Sequence, residues 1–113
     1  MNALNIARSG LQANQTQLAT SAHNTTNANT DEFSKQISTQ QTRLQGRVSS
    51  TVDTVSISDE AKTLAQHTDG PQNNVNLTEE AVNQIQSQKN FEQNAQVVRT
   101  QDQIQKTLID MIT

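Results

Sequence analysis

The sequence predicts a mainly α-helical protein whose long N- and C-terminal helices pair as an antiparallel coiled coil around a short irregular or β-hairpin middle. Three observations lead to this fold class: leucines spaced by seven residues near the N-terminus, apolar residues that step by three or four near the C-terminus, and a β-branched stretch between them. The predicted organisation is a helix with an Asn-rich turn over residues 1–30, a middle region over 31–76 and a helix over 77–113.

The N-terminal helix is predicted over residues 3–28. Leu4, Leu11 and Leu18 repeat every seven residues, and polar residues occupy the other faces, a pattern that suits a narrow coiled-coil seam. Gly10 lies inside this helix and costs about 1 kcal/mol relative to alanine. Two explanations stay open for this glycine: close approach of a neighbouring helix, or a weak spot without a role. The Asn- and Thr-rich run over 24–31 is expected to end the helix.

The middle region reads as two short strands followed by a short helix. Residues 33–39 alternate on one face of a possible strand, residues 48–57 form a second β-leaning stretch, and Gly46 is the candidate turn between them. A two-stranded hairpin is marginal by itself, so we expect this region to be the most mobile part of the chain. A short helix is predicted over 59–67, and residues 70–76 read as a linker.

The C-terminal helix carries the strongest pattern. Thr78 is the predicted N-cap, with two acidic residues in the first turn and Leu77 and Val82 as a hydrophobic staple. The steps along the helix average 3.5 residues, a coiled-coil period. A lone helix cannot bury this stripe, so its partner is either the N-terminal helix or the helices of neighbouring subunits. The predicted stripe comprises Leu77, Ala81, Ile85, Gln88, Phe91, Ala95, Val98, Gln101, Ile104, Leu108 and Ile112.

The composition argues against an ordinary globular monomer. Of the 113 residues, 31% are hydrophobic, the aromatic residues are two phenylalanines, and Gln and Asn together number 29. Burying apolar surface stabilises by about 25 cal/mol per Å², whereas ordering the backbone costs about 1–2 kcal/mol per residue. A chain with so few large side chains is expected to order itself against a partner or to stay partly disordered.

The same composition narrows the function classes. The net charge of −3, with scattered basic residues, disfavours nucleic acid, and no apolar run is long enough to insert into a membrane. Polar residues interrupt positions 1–17, so we expect no cleavable signal peptide. His23 and His67 are isolated, and the acidic pair Glu79/Glu80 falls at a predicted helix start, where acids are favoured in any case. We therefore predict no catalytic site, no cofactor and no metal.

Motifs at both ends resemble the flagellar rod, hook and hook-filament junction proteins. That family has SGL, then an asparagine-rich NIANxxT and a Gly-aromatic pair. Here Thr25 and Thr26 replace the usual Ile-Ala, and Glu32 stands where glycine is typical. The C-terminal segment over 74–83 resembles the family's NVDLTEEMVN, and residues 88–95 resemble QRAFEANA. The matching N-terminal residues are Ser9, Gly10, Leu11, Asn24, Asn27, Asn29, Thr30 and Phe33.

This resemblance implies a structural role. In that family the terminal helices pair antiparallel and stack into the inner tube of a hollow axial structure, and subunits leave through the flagellar type III export apparatus without a cleaved signal. It implies as partners further copies of the chain, other rod and hook proteins and that apparatus, with a location in the periplasmic rod of the basal body. The alternatives are a soluble regulator or export-associated protein that binds axial subunits, and an unrelated coiled-coil adaptor.

Overall fold

The computed structural model describes residues 3–42, 48–54, 58 and 73–113. Four elements follow one another along the chain: helix α1 (Ala3–Thr26), strands β1 (Gln36–Thr42) and β2 (Val48–Thr54), and helix α2 (Leu77–Ile112). The protein is mainly helical, its two long helices pack against each other, and a short hairpin lies between them in sequence, which confirms the predicted fold class. Gly46, the predicted helix over 59–67 and the first part of the predicted linker, residues 70–72, lie outside the described residues.

Helix α1 ends two residues earlier than predicted, at Thr26. Hydroxyl and amide side chains accumulate at this end and donate back to carbonyl oxygens one turn earlier: Thr25 to Ser21, Thr26 to Ala22 and Asn27 to His23, all at 2.9 Å. Thr and Asn have low helix propensity because their side chains can also bond to the backbone in non-helical conformations, which is consistent with the end of α1 in the predicted Asn- and Thr-rich run.

The chain then turns at Glu32, which has a φ of 59° and therefore lies in the left-handed region. This conformation costs a residue with a Cβ atom about 1–2 kcal/mol, whereas glycine adopts it freely. The position is the one at which the resembling family has glycine. The turn thus keeps a glycine-like backbone although its side chain has changed.

The strands β1 and β2 form one antiparallel two-stranded sheet, in which Gln36 pairs with Thr54 and Thr42 pairs with Val48. The predicted hairpin is therefore present, although β1 begins later than the alternating stretch at 33–39 suggested. The sheet packs on α1.

Helix α2 is 36 residues long, or about 54 Å, and it begins one residue before the predicted cap. The N-cap is Asn76, whose side-chain Oδ1 accepts from the backbone N–H groups of Thr78 (3.0 Å) and Glu79 (3.3 Å). Thr78 is consequently a helical residue, and the prediction that it caps the helix was wrong. The predicted staple between Leu77 and Val82 was wrong for the same reason, because the two positions are shifted by one and both side chains are exposed.

The two helices run antiparallel, with Ser21 beside Glu80 and Gly10 beside Asn94. A Cβ atom at Gly10 would lie 2.8 Å from Asn94 Nδ2, so the glycine lets the two helices approach closely, as the first of the two explanations predicted. Among the described residues, the buried hydrophobic side chains are two alanines, Ala7 and Ala13. The helix pair therefore has hardly any apolar core.

Candidate assembly site

A buried polar cluster joins the C-terminal half of α1 to the first turn of α2. Glu80 is 2% exposed, Ser21 3% and Asn24 2%. The Ser21 hydroxyl donates to Glu80 Oε2 at 2.6 Å, and Asn24 Nδ2 donates to Glu80 Oε1 at 3.0 Å. The carboxylate also lies at the positive end of the α2 dipole, which favours an acidic side chain. Hydrogen bonds to both oxygens and the helix dipole together stabilise this charge away from water.

Asn24 connects the same cluster to the hairpin. Its Oδ1 accepts from the Gln36 N–H and its Nδ2 donates to the Gln36 carbonyl oxygen, each at 2.8 Å. The side-chain amide thus pairs with both backbone groups of the first β1 residue, as a neighbouring strand would. We call Ser21, Asn24 and Glu80 the polar cluster. It fixes three elements, α1, β1 and α2, relative to one another.

The asparagines that precede α2 make further links to the turn after α1. Asn73 Nδ2 donates to the carbonyl oxygens of Asn27 (2.8 Å) and Thr30 (2.9 Å), and the Lys35 N–H donates to Asn74 Oδ1 at 2.6 Å. The asparagines that precede α2 therefore face the Asn- and Thr-rich run that follows α1. Together they close the end of the helix pair at which the hairpin leaves.

Two side-chain contacts flank this junction. Lys35 Nζ lies 3.0 Å from both carboxylate oxygens of Glu79. The ring of Phe33 meets that of His23 edge to face, with 5.5 Å between centroids. The predicted motif residues Asn24, Asn27, Thr30 and Phe33 thus lie together at the junction. Asn29 is exposed nearby, whereas Ser9, Gly10 and Leu11 lie further along α1.

Small and polar residues form the contact between the two helices. On α1, Ala7, Asn14 and Ser21 are buried at seven-residue spacing. On α2, Glu80 and Ser87 are buried, and Asn94 and Gln101 continue the same row half-buried. We call these two rows the polar seam. Sequence reasoning followed the large apolar residues, so the predicted stripe contained Gln101 but not Glu80, Ser87 or Asn94, although the repeat of seven was visible in both rows.

The predicted assembly residues divide into two groups. Leu4 and Leu11 on α1, and Phe91, Ala95 and Val98 on α2, are half-buried beside the polar seam. The others are exposed in the single chain, and they include Ile85 at 58% and Leu108 at 51%. The exposed group comprises Leu18, Leu77, Ala81, Ile85, Ile104, Leu108 and Ile112.

The last part of α2 extends past the described start of α1. Because Gly10 lies beside Asn94 and the helices are antiparallel, Ala3 lies level with about residue 101. Residues 102–112, which we call the overhang, are all exposed and extend for about 16 Å. One side of the overhang is apolar, and Ile104, Leu108 and Ile112 belong to it together with Ile109 and Met111.

The described residues line an apolar and a polar depression along the helix pair. The apolar one of about 180 Å³ is lined by Leu18, Ser87 and Phe91 among others. The polar one of about 230 Å³ lies beside the polar cluster and the Lys35–Glu79 pair. Within the part of the chain described, no three histidine or acidic side chains converge in a way that could hold a metal ion. Neither described helix is long and apolar enough to cross a membrane.

Comparison with known proteins matches the C-terminal part of the chain. The family described as "Flagellar basal body rod FlgEFG protein C-terminal" matches residues 72–111. The flagellar hook protein FlgE of Escherichia coli (strain K12) is 50% identical over 38 residues, which is 34% of this chain and 10% of the hook protein. FlgE of Salmonella typhimurium matches with the same identity over 9% of its length. The chain thus spans about a tenth of these relatives.

The matched range covers the Asn-rich lead into α2, the buried Glu80 and nearly all of the exposed apolar residues of α2. It also covers the motifs on which the resemblance was based, those over 74–83 and 88–95. This segment is thus similar to the C-terminal part of the flagellar rod and hook proteins.

Proposed function

We propose that this chain is a structural subunit of the flagellar basal-body rod, or of a rod-like axial component, and that it assembles through its terminal helices. One observation carries the proposal: most of the large apolar side chains of α2, within the segment that matches the axial family, are exposed in the single chain. Soluble monomers rarely expose contiguous apolar surface unless it serves an interaction. The proposed role is structural and involves no catalysis.

The partners are further copies of the chain and other rod or hook subunits. The overhang supports this part of the proposal, because none of the described elements covers its apolar side and a neighbouring helix would do so. The same row positions that hold Asn94 and Gln101 in the polar seam hold Leu108 in the overhang, so this row of α2 changes from polar to apolar beyond the described start of α1. In this proposal the apolar side of the overhang contacts a neighbouring subunit.

The proposed location is the periplasmic rod of the basal body, reached through the flagellar export apparatus without a cleaved signal. A polar seam suits such a route, because opening the helix pair exposes groups that water can solvate. Little apolar burial is lost when the two helices separate, since the buried hydrophobic residues described are two alanines.

A deletion strain complemented with an epitope-tagged chain tests the proposal. We expect the deletion to reduce motility and the tagged chain to copurify with detergent-extracted basal bodies. A complementing copy with Leu108→Asp should be made at the same level and be absent from the basal bodies, whereas Gln103→Asp on the opposite face should be present. A tagged chain that restores motility but stays wholly in the cytosol would contradict a structural role.

A second candidate is a soluble regulator or export-associated protein that binds axial subunits. It is favoured by the short middle region, since only residues 27–76 separate the two described helices. The same fractionation separates the two candidates. A regulator would be recovered from the cytosol in complex with unassembled axial subunits, and its deletion would leave completed rods in isolated basal bodies.

A further inference from the structure

The polar seam raises the question of what fixes the register of the helix pair. In most coiled coils large apolar side chains do so by fitting between those of the partner. Here the buried positions of α1 hold Ala7, Ala13, Asn14, Thr20, Ser21 and Asn24, and the buried positions of α2 hold Glu80 and Ser87. A slip of seven residues would again place small and polar side chains opposite each other. Apolar packing therefore discriminates poorly between registers.

We propose that the polar cluster selects the helix that pairs with α1 and fixes the register of that pairing. This inference deepens the proposed function, because it concerns the helix pair on which assembly rests. Glu80 is the determinant: it is the charged side chain buried in the described part of the seam, and both of its oxygens accept hydrogen bonds from α1. Buried polar groups at single positions of coiled coils are known to set register in this way.

A slip in either direction removes these partners. If α2 moved by one heptad towards the N-terminus of α1, Glu80 would leave Ser21 and Asn24 and lie level with Asn14. Gly10 would then oppose Ser87, and the Asn94 side chain that now fills its space would be lost. A slip the other way would carry Glu80 past Thr26, beyond the end of the helix. A buried carboxylate that loses its donors is strongly unfavourable, so both slipped registers are disfavoured.

The same contacts define the kind of helix that can pair with α1. It must run antiparallel, present a carboxylate in its first turn to Ser21 and Asn24, and carry a residue at the position of Asn94 that fits against Gly10. The spacing that meets these conditions is Glu-x6-Ser-x6-Asn, found at Glu80, Ser87 and Asn94. A second copy of α2 meets them equally, so pairing within one chain and exchange between two chains use the same contacts.

Disulfide trapping in the purified full chain tests the proposal, and the absence of native cysteines gives a clean background. Thr25→Cys with Gln84→Cys reports the observed register, because these exposed side chains are joined by a 3.0 Å hydrogen bond outside the polar cluster. Leu18→Cys with Gln84→Cys reports a slip of one heptad. We expect the first pair to link at least ten times faster than the second in the otherwise unchanged chain.

The decisive variant is Ser21→Ala with Glu80→Leu, which replaces the charge and its hydroxyl partner by apolar groups and keeps the Asn24–Gln36 hydrogen bonds. We expect helix content by circular dichroism to be kept, while the preference for the observed register falls at least ten-fold or disulfides between chains appear. The matched control is Glu92→Leu, since Glu92 is exposed and its hydrogen bond from Gln88 lies within α2; it should leave the preference unchanged. Glu80→Gln, a milder change, should give an intermediate preference.

An undiminished preference in the Ser21→Ala, Glu80→Leu chain would overturn the proposal. Loss of its helix content would overturn it as well, because the cluster would then support folding rather than select a register. These measurements use the isolated chain in solution, so their failure leaves the proposed axial role standing. Absence of the chain from basal bodies would, in turn, leave the register result unaffected.

Discussion

Replacing Leu108 by aspartate should separate the stability of the single chain from its association. Leu108 lies in the overhang and is 51% exposed, so about half of its side chain remains to be buried by a neighbour. Complete burial of a leucine stabilises by about 1.5–3 kcal/mol, which leaves about 1 kcal/mol for this contact. An unpaired aspartate enclosed in the same place would cost about 3–5 kcal/mol.

These values predict opposite outcomes for two measurements on Leu108→Asp. In the single chain the side chain is at the surface, so the free energy of unfolding should change by about 0.5 kcal/mol at most, with a small extra cost for a negative charge near the helix C-terminus. Association should weaken by at least about 100-fold, since each 1.4 kcal/mol corresponds to a factor of ten. Chemical denaturation followed by circular dichroism gives the first quantity and sedimentation velocity across concentrations gives the second.

The matched control is Gln103→Asp, which adds the same charge to the overhang on its polar side. It should change neither quantity appreciably. If the two variants associate equally weakly, net charge rather than the apolar face is responsible. If Leu108→Asp unfolds the single chain, the residue is part of the fold and the overhang is not held for a neighbour. Either result would refute the reasoning.

Three further substitutions test local features of the chain by thermal or chemical denaturation. Glu32→Gly should stabilise by about 0.5–1 kcal/mol because it relieves the left-handed backbone, whereas Asp31→Gly should not stabilise. Asn76→Ala should destabilise α2 by about 1 kcal/mol because the N-cap is lost, whereas Asn76→Asp keeps a capping oxygen and should be tolerated. If both variants lose the same stability, the cap does not contribute to it. Gly10→Ala should stabilise by about 1 kcal/mol only in a chain that also carries Asn94→Ala, because the Asn94 amide otherwise occupies the space of the new methyl group. If the effects of the two substitutions on the free energy of unfolding simply add, the close approach of the helices at Gly10 is contradicted.

Much of the fold could be predicted from the sequence because its signals are local. The 3.5-residue period indicated α2, the Asn- and Thr-rich run ended α1, and β-branched residues indicated the hairpin. The errors in the predicted helix boundaries were of one or two residues. Thr78 and Asn76 are both good N-caps, and the choice between them depends on where the chain leaves its contacts with the turn, which the asparagines at 73 and 74 determine over a sequence distance of about forty residues.

The candidate site was harder to predict from the sequence than the fold, and the reason is physical. Periodicity identifies a stripe by hydrophobicity, and it left open whether this stripe faces the N-terminal helix or the helices of neighbouring subunits. In this protein the helices meet through small and polar residues, and Ile85 and Leu108 remain exposed. The rows that contain Ser21 and Glu80 repeat every seven residues as well, but no hydrophobicity scale marks them. A search for small residues at heptad spacing would have found them.

The two surfaces of α2 have opposite chemistry, and this constrains how the protein reaches its final state. The hydrogen bonds of the polar seam fix the relative positions of the two helices. Each adds only about 1 kcal/mol net to stability, because the same groups bond to water in the unfolded chain. The exposed apolar residues contribute nothing until another surface covers them. The polar contacts therefore specify the shape of the single chain more than they stabilise it, and in the proposed assembly most of the available burial energy would come from association. Anything that binds the folded chain alone then raises its stability with concentration, so folding and assembly are linked through the same helix.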